Sequence, residues 1–467
     1  MADTQRAEVD SIGEVMLGKD TVYGIQTARA LENFPITGVR LSHFAALVNA
    51  LAAVKSACAA ANVELGILDA HRGEVIVTVC AEILGGRHHE HFVVDVIQGG
   101  AGTSTNMNAN EVIANIGLAR MGFEYGEYAH LHPNDHVNRS QSTNDVYPTA
   151  IRAAILAKVD GLCEALAELR DAFDERAAGL RRHRAKIGRT QLQDAVPMSL
   201  GMEFASFAVT VGEDIDRIRE IGNLLKEVNL GGTAIGTGVN APEGYGALAV
   251  KNLRQISGID FVQAANLIEA SSDLGAFVTF SGVLKRVAVK LSKICNDLRL
   301  LSSGPRGGIG EISLPAVQAG SSIMPGKVNP VIPEVVNQVA YQVIGNDLTV
   351  TMAAEAGQLQ LNAMEPVAAY NILESIRILT NAITTLTRRC VVGIEANAER
   401  CAALLENSLV LATMLAPHIG YDAAARIAKD AERNGLSIRE AAERSGILSA
   451  EEFRRILSPG TAAVGSG

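Results

Sequence analysis

The segment FVTFSGVLKRVAVKLSKICNDLRLL, from Phe277 to Leu301, repeats apolar residues every three or four positions over more than three heptads. This spacing places the apolar residues on one side of a helix, as in helices that pack in a bundle. Three further segments show the same spacing: Ile155 to Phe173, Leu200 to Leu225 and Ile372 to Leu386. A fifth segment, after Pro333, shows it less regularly. The sequence therefore predicts a mainly α-helical protein with a long-helix bundle at its centre.

Helices of this length indicate an oligomer. A single small domain does not need them, whereas a bundle whose apolar faces meet neighbouring chains does. Glycine-rich turns before the bundle and short helical patterns after it suggest three domains: an N-terminal domain at 1–141, a central helical-bundle domain at 142–396 and a small C-terminal helical domain at 397–467. The composition of the terminal segment PGTAAVGSG predicts that it is not ordered.

Composition and charge exclude several classes of protein. The chain has 467 residues, of which 48% are hydrophobic, so it is not intrinsically disordered. A net charge of −10 argues against general binding to nucleic acid or to anionic lipid. The most apolar stretch, Phe44 to Val54, contains Asn49 and is followed by Lys55, so we expect no membrane span. Without a secretory signal at the N-terminus, we expect a cytoplasmic protein.

The six cysteines are scattered along the chain and form no CxxC pair. Such spacing favours buried thiols over a disulfide framework.

Four polar, glycine-containing segments interrupt the helical pattern. They are QGGAGTSTNMNANE at 98–111, HPNDHVNRSQSTND at 132–145, GRTQLQDAVP at 188–197 and GSSIMPGKVNP at 320–330. They share neutral hydrogen-bonding side chains, one lysine, and glycines that let backbone N–H groups approach a ligand. These donors suit a small dianion.

Three other interpretations of local motifs are weaker. The segment from Gly320 to Lys327 has five residues between its glycines and Val328 after the lysine, unlike a nucleotide-binding P-loop. The segment GTAIGTGVNAPEG at 232–244 lacks the third glycine of a dinucleotide fingerprint. His88 and His91, with Glu90 beside them, supply too few ligands to predict a metal site.

The four segments resemble the sequence motifs of the aspartase/fumarase superfamily, and GSSIMPGKVNP resembles the signature of that superfamily. The likeness also includes YGIQTARALENF and NDLRLLSSGPRGGIGEI, so it covers nearly the whole chain. Within the superfamily, SQSTND and GRTQLQDAVPM resemble the aspartate ammonia-lyase branch, since class II fumarases usually have SQSSND and a histidine at the position of Gln191.

This resemblance implies a lyase that removes ammonia reversibly from L-aspartate to give fumarate, without a cofactor or a metal ion. Proton removal next to the side-chain carboxylate leaves an aci-carboxylate that approaches two negative charges, which preorganised donors can stabilise. By family position Ser321 is the base. The carboxylate that gains charge is held by Thr103, Ser142 and Thr143, and the other one by Lys327 and Asn329. Asn144, Thr190 and Gln191 lie near the departing nitrogen, and Ser322 completes the substrate-binding set.

The resemblance also implies an assembly. In this superfamily the site is shared by three subunits of a homotetramer whose core contains twenty helices. His132, Asn134 and Asp135 resemble a second anion site of fumarases, with a structural or regulatory role. Two alternatives remain open. The first is another lyase, either a class II fumarase or an enzyme for a different 3-substituted succinate. The second is a family member retained without catalysis. The presence of Ser321, Lys327 and Asn329 argues against the second.

Overall fold

The computed structural model describes residues 4–180 and 185–457, and these residues are mainly helical, as the sequence predicts. Their α-helices are α1 (Ile25–Asn33), α2 (Ala45–Glu64), α3 (Ala70–Leu84), α4 (Thr103–Arg120), α5 (Thr143–Leu180), α6 (Leu200–Gly222), α7 (Tyr245–Ser257), α8 (Leu267–Ala270), α9 (Gly275–Leu301), α10 (Val331–Glu355), α11 (Glu365–Arg389), α12 (Ala398–Glu406), α13 (Leu411–Ile419), α14 (Tyr421–Asn434), α15 (Ile438–Ser445) and α16 (Ala450–Leu457).

The strands of the described residues are short and occur in pairs. The pairs are β1 (Gln5–Val9) with β2 (Glu14–Gly18), β3 (Ala185–Thr190) with β4 (Gln193–Ser199), β5 (Glu227–Val228) with β6 (Val262–Gln263), and β7 (Ile312–Ser313) with β8 (Glu395–Ala396). The β5–β6 pair is parallel and the other three are antiparallel. In the β3–β4 hairpin, Thr190 lies opposite Gln193, so the turn consists of two residues.

The five apolar stripes correspond to the five long helices α5, α6, α9, α10 and α11. All eight stripe residues of α9, from Phe277 to Leu301, are buried. The stripe that begins at Leu200 extends past the end of α6 at Gly222, because Asn223–Lys226 form a 3₁₀ turn that keeps Leu225 buried. Apolar spacing thus predicts the helices well and their ends less well.

The chain groups into two compact units. Unit 1 contains residues 1–164, 215–288 and 340–380, and unit 2 contains residues 165–214, 289–339 and 381–467. Each of the five long helices contributes residues to both units. The proposed domain boundaries fall where helices begin, because Ser142 precedes α5 and Asn397 precedes α12. The division into three domains stays a prediction.

In unit 1, α2 packs against α3 and α7 and is largely buried. By length and composition α2 could cross a membrane, but 78% of its apolar window is buried inside the protein, as is typical of a core helix. The other candidate span, α12 with α13, is bent by 56°. The helix continues through Asn49 and Lys55, and the buried Lys55 side chain donates to the half-buried Asn138 and Gln141.

In unit 2, the C-terminal helices α13 to α16 enclose a small apolar core that includes Leu415, Ile427 and Phe453. α12 contacts β3, and α13 contacts β4. The terminal segment at 459–467 lies outside the described residues. All six cysteines are free and buried, as the sequence predicts.

Candidate active site

The N-terminal ends of α4 and α5 lie side by side in unit 1. Gly102 precedes α4 with φ +88°, and a Cβ atom there would lie 2.2 Å from the ring of Tyr147 on α5. Only glycine permits this approach, since it has no side chain and accepts the left-handed backbone region. The approach brings Thr103, the first residue of α4, to the same part of unit 1 as Ser142 and Thr143.

The hydroxyl groups of these residues are held differently. Thr103 is exposed, and its Oγ1 donates to the carbonyl oxygen of Gly100 at 2.7 Å. Ser142 Oγ accepts the backbone N–H of Asn144 at 3.2 Å. Thr143 Oγ1 accepts from Asn106 Nδ2 at 3.1 Å. The two threonine hydroxyls therefore have opposite hydrogen-bonding roles toward the protein.

Asp145 connects the start of α5 to a glycine-rich loop. Its buried carboxylate accepts the backbone N–H groups of Ser142, Gly231 and Thr233 at 2.9 to 3.1 Å. Burial raises the pKa of this carboxyl, while the three N–H donors favour its charged form. The carboxylate thus fixes the polar segment that contains Ser142 and Thr143.

Asn144 is fixed at both its backbone and its side chain. Pro148 has no N–H for the carbonyl oxygen of Asn144, and Asn229 Nδ2 donates to that oxygen instead at 2.8 Å. The Asn144 side chain donates through Nδ2 to the carbonyl oxygen of Ala234 at 2.7 Å. Its amide plane is consequently set before any substrate arrives.

Lys55 is a buried lysine in contact with this cluster, and the sequence alone does not predict its part in the site. Its Nζ donates to Asn138 Oδ1 and to Gln141 Oε1, both at 2.8 Å. Burial lowers the pKa of Lys55 to about 7. The available signal was a lone lysine within the apolar segment AALVNALAAVKSACAAA, since a lysine is rarely buried without polar partners.

In unit 2, Thr190 and Gln191 lie at the tip of the β3–β4 hairpin, and both are exposed. The turn residues Gln191 and Leu192 have φ values of 53° and 61°, the left-handed region that two-residue hairpins require. This backbone conformation therefore closes the hairpin in two residues, with Gln191 exposed at its end.

Charged side chains hold this hairpin both near its base, at Lys186, and near its tip, at Arg189. Glu311 is completely buried and lies 2.9 Å from Lys186 Nζ and 2.9 Å from Arg189 Nη1. Lys186 also contacts Glu203 on α6 at 2.5 Å. Two cations and two carboxylates balance one another, which a buried charge requires.

The segment from Gly320 to Pro330 forms a compact loop in unit 2 that leads into α10. The Gly320 N–H donates to the carbonyl oxygen of Lys327 at 2.9 Å, and Asn329 Nδ2 donates to the carbonyl oxygen of Gly320 at 2.7 Å. A Cβ atom at Gly320 would lie 2.3 Å from the Lys327 oxygen. The loop thus closes on itself only with glycine at this position.

Ser321 has two backbone donors on its side-chain oxygen. The N–H groups of Ile323 and Met324 each donate to Ser321 Oγ at 3.2 Å. Such donors stabilise negative charge on an oxygen. Ser321 and Asn329 are half-buried, whereas Ser322 and Lys327 are exposed.

The predicted site residues form three sets in this chain. The first contains Thr103, Ser142, Thr143 and Asn144 at the ends of two helices in unit 1; the second contains Thr190 and Gln191; the third contains Ser321, Ser322, Lys327 and Asn329. Among the described residues of unit 2, no hydrogen bond joins the hairpin tip to the loop at 320–330.

The residues compared with a second anion site border a cavity of about 440 Å³ in unit 1. His132 and Asn134 line it together with Glu8, Asp10 and Glu111. His132 Nδ1 accepts the backbone N–H groups of Asn134 and Asp135 at 3.1 Å. Asp135 does not belong to the lining, and the role of these three residues stays a prediction.

The histidines of the segment at 88–91 already have partners. His88 Nε2 lies 2.9 Å from Glu82 Oε2, and His91 lies 3.5 Å from Glu90. Within residues 4–180 and 185–457, no group of three or more His, Cys, Asp or Glu side chains is placed to hold a metal ion.

Comparisons with known proteins agree with this architecture. A model of the lyase family matches residues 13–345, and one of the fumarase C C-terminus matches residues 411–461. Aspartate ammonia-lyase of Pseudomonas fluorescens is 58% identical over 97% of this chain and 95% of its own length.

Two solved structures resemble the fold closely. Fumarate lyase:delta crystallin from Brucella melitensis bound to cobalt has a TM-score of 0.95 and 58% identity, covering 97% of this chain and 98% of that one. Class II fumarase from Schistosoma mansoni has a TM-score of 0.91 and 34% identity, with the same coverage of 97% and 98%. On these matches, the chain belongs to the lyase family that contains the aspartate ammonia-lyases and class II fumarases.

Proposed function

We infer that this protein is an aspartate ammonia-lyase, which converts L-aspartate reversibly to fumarate and ammonia. The observation that carries this inference is the 58% identity to aspartate ammonia-lyase of Pseudomonas fluorescens over nearly the full length of both chains. The class II fumarase from Schistosoma mansoni is 34% identical over a similar length. Gln191, where fumarases have a histidine, agrees with deamination in preference to hydration.

The proposed base is Ser321. A serine hydroxyl loses its proton at neutral pH only if the resulting oxyanion is stabilised. The backbone N–H groups of Ile323 and Met324, which already donate to Oγ, support this role. Exclusion of water when the loop closes over the substrate would strengthen both hydrogen bonds.

We assign different groups of the substrate to the different sets of site residues. Thr103, Ser142 and Thr143 hold the carboxylate next to the carbon that loses its proton, where negative charge develops. Lys327 and Asn329 hold the other carboxylate; Asn329 Nδ2 uses one of its two hydrogens on Gly320, which leaves the second for a ligand. Ser322 lies in the same loop, while Asn144, Thr190 and Gln191 supply polar contacts to the amino group.

We also propose a homotetramer in which three subunits contribute to each site. The site residues belong to three structural features, the helix starts in unit 1, the hairpin tip and the loop at 320–330, and we propose that each subunit supplies one of them to a given site. In addition, α10 carries a row of exposed apolar residues in unit 1: Tyr341, Leu348 and Met352 are 59%, 61% and 64% exposed. Covering such a row favours association. Four copies of the five long helices would supply the twenty-helix core.

We place the protein in the cytoplasm. Six free buried thiols without a disulfide are typical of a reducing compartment.

A substrate panel tests the activity. The pure protein is incubated with L-aspartate, with L-malate, and with fumarate plus ammonia, and the ultraviolet absorbance of fumarate is followed. We expect fumarate from aspartate and little from malate. Preference for malate would favour the class II fumarase, and no reaction with any substrate would favour a family member without catalysis.

The variant Ser321→Ala tests the base. We expect near-complete loss of fumarate formation with the tetramer intact, since alanine cannot accept the proton. Full activity in this variant would remove Ser321 from that role.

A further inference from the structure

We propose that Asn106 is a positioning residue that keeps the Thr143 hydroxyl turned toward the substrate carboxylate as a hydrogen-bond donor. Asn106 lies one turn into α4 and is buried, so it does not itself belong to the exposed surface of the site. This inference rests on the proposed lyase function, in which Thr143 holds the carboxylate that gains charge.

The direction of the hydrogen bonds begins at Lys55. Its Nζ donates to Asn138 Oδ1 at 2.8 Å, and Asn138 Nδ2 donates to the carbonyl oxygen of Gln141 at 3.4 Å. These two contacts fix which end of the Asn138 amide is the acceptor. The oxygen of Asn138 therefore faces both Lys55 and Asn106.

The orientation of the Asn106 amide follows from that of Asn138. An atom 3.2 Å from an accepting oxygen must be a donor, so Asn106 directs Nδ2 toward Asn138. The same Nδ2 lies 3.1 Å from Thr143 Oγ1. Asn106 Oδ1 is buried without a partner among the described residues, so the two Nδ2 contacts alone set the amide plane.

With Asn106 donating to its oxygen, the Thr143 hydroxyl can act toward a ligand as a hydrogen-bond donor. It has one hydrogen and two lone pairs, and Asn106 occupies a lone pair. As the first residue of α5, Thr143 has no carbonyl one turn earlier in the helix, unlike Thr149, whose hydroxyl donates to the Asp145 carbonyl oxygen at 2.7 Å. Among the described residues, the Thr143 hydroxyl donates to no acceptor, so its hydrogen remains for an anionic ligand.

Thr103 provides the contrast within the same set. Its hydroxyl hydrogen is used on the Gly100 carbonyl oxygen at 2.7 Å. A carboxylate that approaches the two threonines can therefore accept the hydroxyl hydrogen of Thr143 at once, whereas the hydroxyl hydrogen of Thr103 is already hydrogen-bonded to Gly100. Preorganisation of the donor at Thr143 avoids reorientation when charge develops.

Two substitutions at Asn106 test the inference by their effect on succinate binding, measured by titration calorimetry without turnover. Asn106→Ala frees the hydroxyl, and we expect the Kd for succinate to rise about tenfold. Asn106→Asp places an acceptor against Thr143 and turns its hydrogen away from the ligand, so we expect a rise of about a hundredfold. KM for aspartate should rise in the same order.

Asn110→Ala is the matched control. Asn110 is buried one turn further along α4, and its Nδ2 faces Met107 Sδ at 3.5 Å instead of a hydroxyl. We expect its loss to lower stability as Asn106→Ala does, while the Kd for succinate stays at the wild-type value.

A double-mutant cycle separates positioning from a general structural effect. In a Thr143→Val background the hydroxyl is absent, so Asn106→Ala should cause no further change in Kd. If the two substitutions raised the Kd for succinate by factors that multiply in the double variant, the inference would be overturned. A wild-type Kd in Asn106→Ala would overturn it as well. Failure of the proposed function has a different signature: wild-type protein that forms no fumarate from aspartate, whatever its succinate affinity.

Discussion

The absence of a side chain at Gly320 permits the close backbone contact that shapes the loop with the proposed base. The carbonyl oxygen of Lys327 occupies the space that a Cβ atom would need. Family resemblance identifies Ser321 and Lys327 from the sequence, but it does not reveal this contact. Likewise, the contacts of Lys55 and Asn106 with Asn138 and of Asp145 with Thr233 span 32 to 88 positions of the chain, so no local pattern predicts them.

Gly320→Ala should disrupt the loop without unfolding the protein. The added methyl group forces Lys327 and Asn329 to shift, and a misplacement of about 1 Å can cost about a hundredfold in rate. We expect a loss of this size in kcat/KM for aspartate, with an unchanged Tm. The control is Gly161→Ala at an exposed position of α5, where nothing lies within 4 Å and the change should stabilise the protein by about 0.5 to 1 kcal/mol. Wild-type kcat/KM in the Gly320 variant would contradict the argument.

Glu365, the buried first residue of α11, should make the stability of the protein depend on pH. Burial raises its pKa to about 8, so the folded protein keeps a proton that the unfolded chain releases above pH 4.5. The free energy of unfolding should therefore fall as the pH rises from about 4.5 to about 8. Glu365→Gln stays neutral, so it should flatten this slope and be more stable than wild type at pH 8. Denaturant titrations across this range measure the effect, with the exposed Glu355→Gln as control.

At the scale of elements, apolar spacing predicts all five long helices because each buries one continuous stripe. The β3–β4 hairpin is different, since GRTQLQDAVP is recognisable from the sequence only as a polar segment. Its turn is Gln191–Leu192 in place of the usual Asn-Gly, and its strands are held by buried ion pairs with Glu311 instead of an alternating apolar face. Tertiary contacts therefore decide this element.

Leu192→Gly tests the strain in that turn. Leu192 is 71% exposed with φ 61°, a conformation that costs an L-residue about 1 to 2 kcal/mol and costs glycine little. Since glycine also loses more entropy on folding, we expect a net gain of about 0.5 kcal/mol, read as a higher Tm. Leu224→Gly, an exposed leucine in a 3₁₀ turn without positive φ, should lower Tm. A lower Tm in both variants would show that the turn is not strained.

For the whole molecule, the stripes predict association of long helices, whereas the grouping of the chain into units could not be read from them. Each stripe continues through residues of both units, so the sequence contains no break where one unit ends. Oligomeric order is likewise absent from the spacing of one chain, because the same exposed row on α10 could be covered by different numbers of partners.

Mixing two inactive variants tests the shared sites. Ser321→Ala and Thr143→Val change different residue sets, so a mixed tetramer would contain some sites with both residues intact. Random assembly predicts that about one quarter of the wild-type activity returns after joint refolding. Each variant refolded alone is the control. If both residues of a site came from one chain, mixing would restore nothing.

The exposed hairpin tip has a consequence for the range of substrates. The hydroxyls and amides of the first set are tied to backbone groups and buried partners, so altering them would disturb neighbouring structure. Thr190 and Gln191 are exposed at the turn, and the strand that leads to it is held by the Lys186 and Arg189 side chains, which contact Glu311. Natural variation or directed evolution toward bulkier amines should therefore accumulate at this tip, where side chains can be exchanged at little expense to folding.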